Sequence, residues 1–160
     1  FVDTTHSVSL VCVSSQAKGA IPHLGTGLTS PLATITSSTW TSCSGPLGIT
    51  LSVAQVGTWS LNGTSYTSPV TTGNVSGVNA NISGTCAFSV TGTADGKYSN
   101  TTHQLAMAPI AGSGNTLTIH VAGGGTACFG LIHDGDNATF TTQVPYTVTT
   151  PLGNLTITSP

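Results

Sequence analysis

The sequence has almost no charge. Its only basic residues are Lys18 and Lys97, its only acidic ones are Asp3, Asp95, Asp134 and Asp136, and arginine and glutamate are missing. Ordinary soluble domains are about a quarter charged, whereas this chain is 4% charged. Without basic side chains there is no electrostatic term for nucleic-acid binding and no polybasic membrane anchor. No apolar run approaches the roughly 20 residues of a membrane-spanning helix. Without glutamate, the paired carboxyls of a glycosidase would have to be aspartates. Asp95 is read in a turn and Asp3 near the chain start, which leaves only Asp134 and Asp136.

Other motifs are missing too. Cys12, Cys43, Cys86 and Cys128 are all far apart, so the close cysteine pairs of zinc and redox sites do not occur. His6, His23, His103, His120 and His133 form no H-x-x-x-H pair, and there is no G-x-S-x-G elbow. These gaps predict a protein with no catalytic residues, no cofactor and no metal. No leader segment is visible, and an opening at Phe1 rather than Met predicts a processed mature form.

Helix signals are scarce, with at most a single helical turn expected, but Val, Ile, Thr and Leu are dense enough for a folded core. Period-2 alternation marks strands at Val8–Cys12, Ile49–Val53, Cys86–Val90 and Leu117–Val121. Further strands are read at Phe140, Val144–Val148 and Leu155–Ile157. Asn62-Gly63 and Asp95-Gly96 are dipeptides that favour positive φ, so each predicts a hairpin turn, the first within Thr58–Thr67. Lys18–Ser30 and Ala108–Asn115 read as long loops. About ten short strands with turns between them predict one all-β domain over residues 1–160, an antiparallel β-sandwich of Ig-like or Greek-key type, with a barrel as second choice. Four cysteines permit three pairings. Cys12–Cys43 with Cys86–Cys128 is favoured because each joins neighbouring segments in its own half of the chain. Such staples belong to an oxidising, extracellular or cell-surface compartment.

Candidate sites are few. Asp134-Gly135-Asp136-Asn137 has the alternating oxygens that can open a calcium loop, but no glutamate closes it, and a β-turn is the better reading. His133 beside Asp134 offers an acid–base dyad, or two solvated polar residues at a strand end. His120 falls on the solvent face of its strand. Asn62, Asn74, Asn81, Asn100, Asn137 and Asn154 each begin an N-x-S/T sequon and are candidate glycosylation sites. Among the polar-tipped aromatics Trp40, Trp59, Tyr66, Tyr98 and Tyr146, Trp59 is expected in the core and Trp40 against the Cys12–Cys43 bridge. A row of exposed ones would favour glycan binding.

Some segments resemble small secreted β proteins of actinobacteria that carry no assigned activity. They are Cys86-Ala87-Phe88-Ser89-Val90-Thr91-Gly92 with Tyr98, Cys128-Phe129-Gly130-Leu131-Ile132 with Gly135-Asp136-Asn137-Ala138-Thr139-Phe140, and the closing Ile157-Thr158-Ser159-Pro160. The likeness covers Thr85–Pro160. It implies secretion and a disulfide framework, but no mechanism. The sequons depart from it, because such bacteria do not generally use that signal. An archaeal or eukaryotic surface protein therefore remains an alternative source.

The expected function is a structural or interaction subunit of a filament, coat or secreted particle. The alternative is a glycan- or surface-ligand-binding module. Its partners would be itself or other surface proteins, joined by β-strand addition. Residues 1–11 form a candidate detachable strand, with Val2, Val8 and Leu10 as its contacts. Val2, Thr4, His6, Val8, Leu10 and Cys12 would share one face of that strand.

Overall fold

The computed structural model describes residues 1–22 and 30–158. Its strands are β1 (Val2–Asp3), β2 (Val8–Ser9), β3 (Val11–Ala20), β4 (Ala33–Ser44), β5 (Thr50–Gln55), β6 (Trp59–Thr67) and β7 (Val70–Gly84). They continue with β8 (Phe88–Ser99), β9 (Gln104–Met107), β10 (Leu117–His120), β11 (Thr126–Ala127), β12 (Ile132–His133), β13 (Asn137–Thr139) and β14 (Tyr146–Thr147). Of the described residues, 58% are strand and 4% helical, so the all-β expectation holds. The helical part is two short 3₁₀ turns, Pro46–Gly48 and Cys128–Gly130, rather than one at most.

Every pairing is antiparallel. The main sheet runs β2-β1-β13-β10-β8-β7-β5-β4-β3, with β6 joined to β4 and β7, and β9 linking β8 to β14. β11 and β12 form a separate ribbon. The two ends of the path belong to one run of chain. β2 borders β1 and β3 borders β4, and only the buried Leu10 separates β2 from β3. A strand that switches sheets in this way joins two layers at a corner. The layers meet where Trp40 of β4 packs edge-on against Phe140 at 5.5 Å and Ser15 of β3 shares a hydrogen bond with Tyr146 of β14. Trp40 thus has an aromatic partner in Phe140.

The core lies along β7, β8 and β10. Ala80, Val90 and Ile119 stand in register across the three strands, and Ile82 pairs with Phe88. Ile119 is fully buried and Val90 nearly so. Each large side chain sealed in this way contributes about 1.5–3 kcal/mol. Strand β7 keeps one face inward by a device that simple alternation does not show. Its buried residues are Thr71 and Val75, then Val78, Ala80 and Ile82, so the parity changes midway. The register with β8 shifts between Val75 and Val78, and Gly77 takes a φ of 68° there. The extra residue of this bulge returns the following side chains to the core face.

Both disulfides form as expected, Cys12–Cys43 and Cys86–Cys128. Cys12 and Cys43 are direct cross-strand partners in β3 and β4. The two predicted hairpin turns do not form. Asn62-Gly63 lies inside β6 and Asp95-Gly96 inside β8. Neither glycine has a positive φ. Instead Gly63, Gly73 and Gly96 are partners in register across β6, β7 and β8. A Cβ on Gly73 would sit 2.0 Å from the Asn62 carbonyl oxygen. These glycines permit close backbone approach rather than a turn. The turns fall later, at Ser68-Pro69 and at Asn100–His103.

Other boundaries move. β3 extends through Lys18 to Ala20, so the predicted loop begins later, and residues 23–29 with His23 lie outside the described residues. Ala108–Asn115 is a loop as expected. Leu155–Ile157 is not a strand. It is held by Tyr98, whose hydroxyl donates to the Leu155 carbonyl at 2.6 Å, and by Asn100, which brackets Ile157 with two hydrogen bonds.

Candidate functional site

Two places stand out: a cluster of histidines around two buried aspartates, and the edge of strand β3. The cluster starts in β1. Asp3 pairs with Ala138 of β13 on one side and Val8 of β2 on the other, and its side chain is fully buried. Its Oδ1 accepts the backbone N–H of Thr5 at 2.8 Å and of His6 at 3.1 Å. An aspartate that bonds its own downstream backbone turns the chain. The predicted single-faced strand from Val2 to Cys12 is accordingly broken at Thr4–Ser7, and His6 folds back over β13. Its Nδ1 lies 2.9 Å from Asp136 Oδ2.

The opposite wall is the turn between β12 and β13. Gly135 takes a φ of 84° there, and the Asp136 N–H donates to the His133 carbonyl. Asp134–Asn137 is thus a turn, as predicted. Its two carboxylates diverge: Asp134 Oδ1 accepts the Val121 N–H at 2.8 Å, while Asp136 points inward. They do not form a calcium loop. The carboxylate beside the His133 ring is likewise that of Asp136, its Oδ2 3.5 Å from Nδ1 without a hydrogen bond, rather than that of the adjacent Asp134. Asp136 Oδ2 also accepts the His133 backbone N–H at 2.9 Å.

The rings of His6 and His133 lie 4.2 Å apart between centroids, tilted by 36°. Burial pushes the Asp136 carboxyl up, but the His133 N–H, the His6 ring and the Asp3 side chain together outweigh that and hold it below the ordinary aspartate range. Two buried polar atoms in the cluster have no hydrogen-bond partner, Asp3 Oδ2 and His133 Nδ1. The sequence does contain a signal for this assembly. Asp3-x-x-His6 and His133-x-x-Asp136 are mirror images, each placing the pair one turn apart. Neither pair identifies the other from sequence alone, because 130 residues separate His6 from Asp136.

Strand β3 is the other feature. It has β4 on one side and, among the described residues, no strand on the other beyond the β1–β2 corner. Val11 and Val13 on it are 51% and 81% exposed, and Lys18 is its one charged residue. The candidate donation contacts Val2 and Val8 are half-buried in the molecule's own sheet, and Leu10 is buried in its core.

The sequons divide into two groups. Asn81, Asn137 and Asn154 are exposed. Asn62, Asn74 and Asn100 are half-buried, and their amides are engaged: Asn62 Nδ2 donates to Asn74 Oδ1 at 3.0 Å, and Asn100 Nδ2 to the Ile157 carbonyl at 2.7 Å. Trp59 and Tyr98 are buried, and Trp40, Tyr66 and Tyr146 half-buried, so these aromatics make no exposed row. His120 is exposed as expected, bonded to Thr91 across the strand pair. No helix among the described residues is long and apolar enough to cross a membrane. Comparison with known proteins finds no matching family model, no matching curated protein and no matching solved structure.

Proposed function

We propose that this chain is a non-catalytic extracellular structural protein, a subunit of a surface or secreted assembly joined along sheet edges. The observation that carries this reading is strand β3. It is ten residues long, and among the described residues no strand pairs its outer side, which lies beside exposed Val11 and Val13. Natural monomers guard such edges with charge, bulges or short strands; here Lys18 and a register irregularity at Lys18/Gly19 sit at one end of β3, and Val11–Ala17 has neither. Strand addition at such an edge takes its affinity from main-chain hydrogen bonds and its specificity from alternate side chains. The disulfides and the scarcity of charge support an oxidising compartment outside the cell.

Edge addition at β3 needs no rearrangement of the subunit. Donation of the first residues to a neighbour, the other route, would break the β1 pairings with β13 and β2 and uncover Asp3. The β3 edge is therefore the favoured contact. Sedimentation velocity over a range of concentrations tests it, with Val13→Lys and Ala17→Lys combined as the guarded variant. Both positions are exposed, so the monomer should keep its stability while association is lost. A wild-type chain that stays monomeric throughout, or association equal in the variant, would refute the reading.

A further inference from the structure

We propose that His6, His133 and Asp136 bind one divalent transition-metal ion of the zinc class beside the buried Asp3, and that this ion staples the N-terminal hairpin to the β12–β13 turn. One donor atom each from His6, His133 and Asp136 lies within 4.8 Å of the others. In a tetrahedral zinc site with bonds of about 2.0–2.1 Å, neighbouring donors are roughly 3.3 Å apart. The separations here straddle that value: 2.9 Å from His6 Nδ1 to Asp136 Oδ2 and 3.5 Å from His133 Nδ1 to the same oxygen, with Asp3 Oδ2 3.6 Å from His6 Nδ1 at the edge of the group.

An independent observation points to a ligand. Asp3 is fully buried, and its Oδ2, facing the His6 ring, has no hydrogen-bond partner; His133 Nδ1 is orphaned in the same cluster. Buried polar atoms without partners are costly, and each needs an explanation. A cation among them satisfies both.

Two imidazoles with a carboxylate favour zinc-like ions over magnesium or calcium, which prefer all-oxygen shells. No local motif joins His6 to His133 and Asp136, because they come from opposite ends of the chain. The proposal is independent of assembly at β3.

The test is calorimetric titration of the full, chelator-treated chain with Zn²⁺, and with Mg²⁺ and Ca²⁺ as comparison. One Zn²⁺ per chain is expected, with Mg²⁺ and Ca²⁺ bound far more weakly. His6→Gln and His133→Gln should each lower Zn²⁺ affinity by about a hundredfold, at the upper end of what even outer-sphere changes cause. The His6 and His133 side chains are 42% and 39% exposed, so both variants should fold. Hydrogen exchange supplies a second readout, with Zn²⁺ slowing the amides of Thr4–Ser9 in the wild type alone. Absence of saturable Zn²⁺ binding, or binding unchanged in the double variant, would overturn the site. Unchanged exchange at Thr4–Ser9 would overturn the staple.

Discussion

Replacing Asp95 should loosen the Ala108–Asn115 loop and cost the fold measurably. Asp95 is 6% exposed and sits in mid-strand, where it accepts three hydrogen bonds. Oδ2 takes the Ile110 N–H at 3.0 Å and the Ser113 hydroxyl at 2.7 Å, and Oδ1 takes the Asn115 amide at 2.7 Å. Burial raises this carboxyl, but the three donors together outweigh it, so its pKa lies below the ordinary value. Bonds to a charged acceptor are worth about 1.5–3 kcal/mol each, against about 0.5–1.5 for neutral ones. Asp95→Asn makes all three neutral at best and sets its NH₂ against that of Asn115 unless Asn115 flips. Part of the loss is recovered because an amide is cheaper to bury than a carboxylate, leaving a cost of about 2 kcal/mol. Asp95→Ala loses all three bonds and strands the Ile110 N–H, costing about 3–5 kcal/mol.

The pH sign follows. A carboxyl whose folded pKa is depressed stabilises the fold fully above its unfolded pKa of about 3.9, and that contribution is lost as the pH falls through the folded value. Urea unfolding at neutral pH and at about pH 3 should therefore show a smaller acid loss for Asp95→Asn than for wild type. Equal midpoints for wild type and Asp95→Ala at neutral pH would refute this account of the loop.

The remaining predictions concern packing and the chain start. Ile119→Ala, at a fully buried position, should cost about 3–4 kcal/mol in chemical denaturation; a loss below about 1 kcal/mol would place the core elsewhere. Gly73→Ala drives a Cβ into the Asn62 carbonyl, so a lower melting temperature is expected, and an unchanged one would mean the glycine register is misread. Deleting Phe1–His6 removes β1 and Asp3 from the sheet. The monomer should melt at a lower temperature, whereas unaltered melting would show the segment to be dispensable to its own fold.

Sequence disclosed the strand face better than the strand ends. Alternation at Cys86–Val90 and Leu117–Val121 identified the inward residues Phe88, Val90, Leu117 and Ile119, all of which are buried. One buried face forces that period. The turns were misplaced because a glycine after asparagine or aspartate serves two ends. It can adopt positive φ, or it can let two backbones close in, and only the partner strand decides between them. Gly63 and Gly96 do the second, opposite Gly73. The β7 bulge was hidden for a related reason, since the inserted residue interrupts the period that reveals a strand. The cluster at Asp136 was the least legible. Each half contains an aspartate and a histidine three residues apart, and what unites them is the pairing of the first strand with β13, a contact that no local pattern encodes.

The most direct measurement is electron cryomicroscopy of the native material, at a resolution that traces strands. The account predicts an assembly in which a strand of a neighbouring molecule lies antiparallel or parallel along the free side of Val11–Ala20. Monomeric particles, or an assembly whose contacts leave that side of β3 open to solvent, would contradict it.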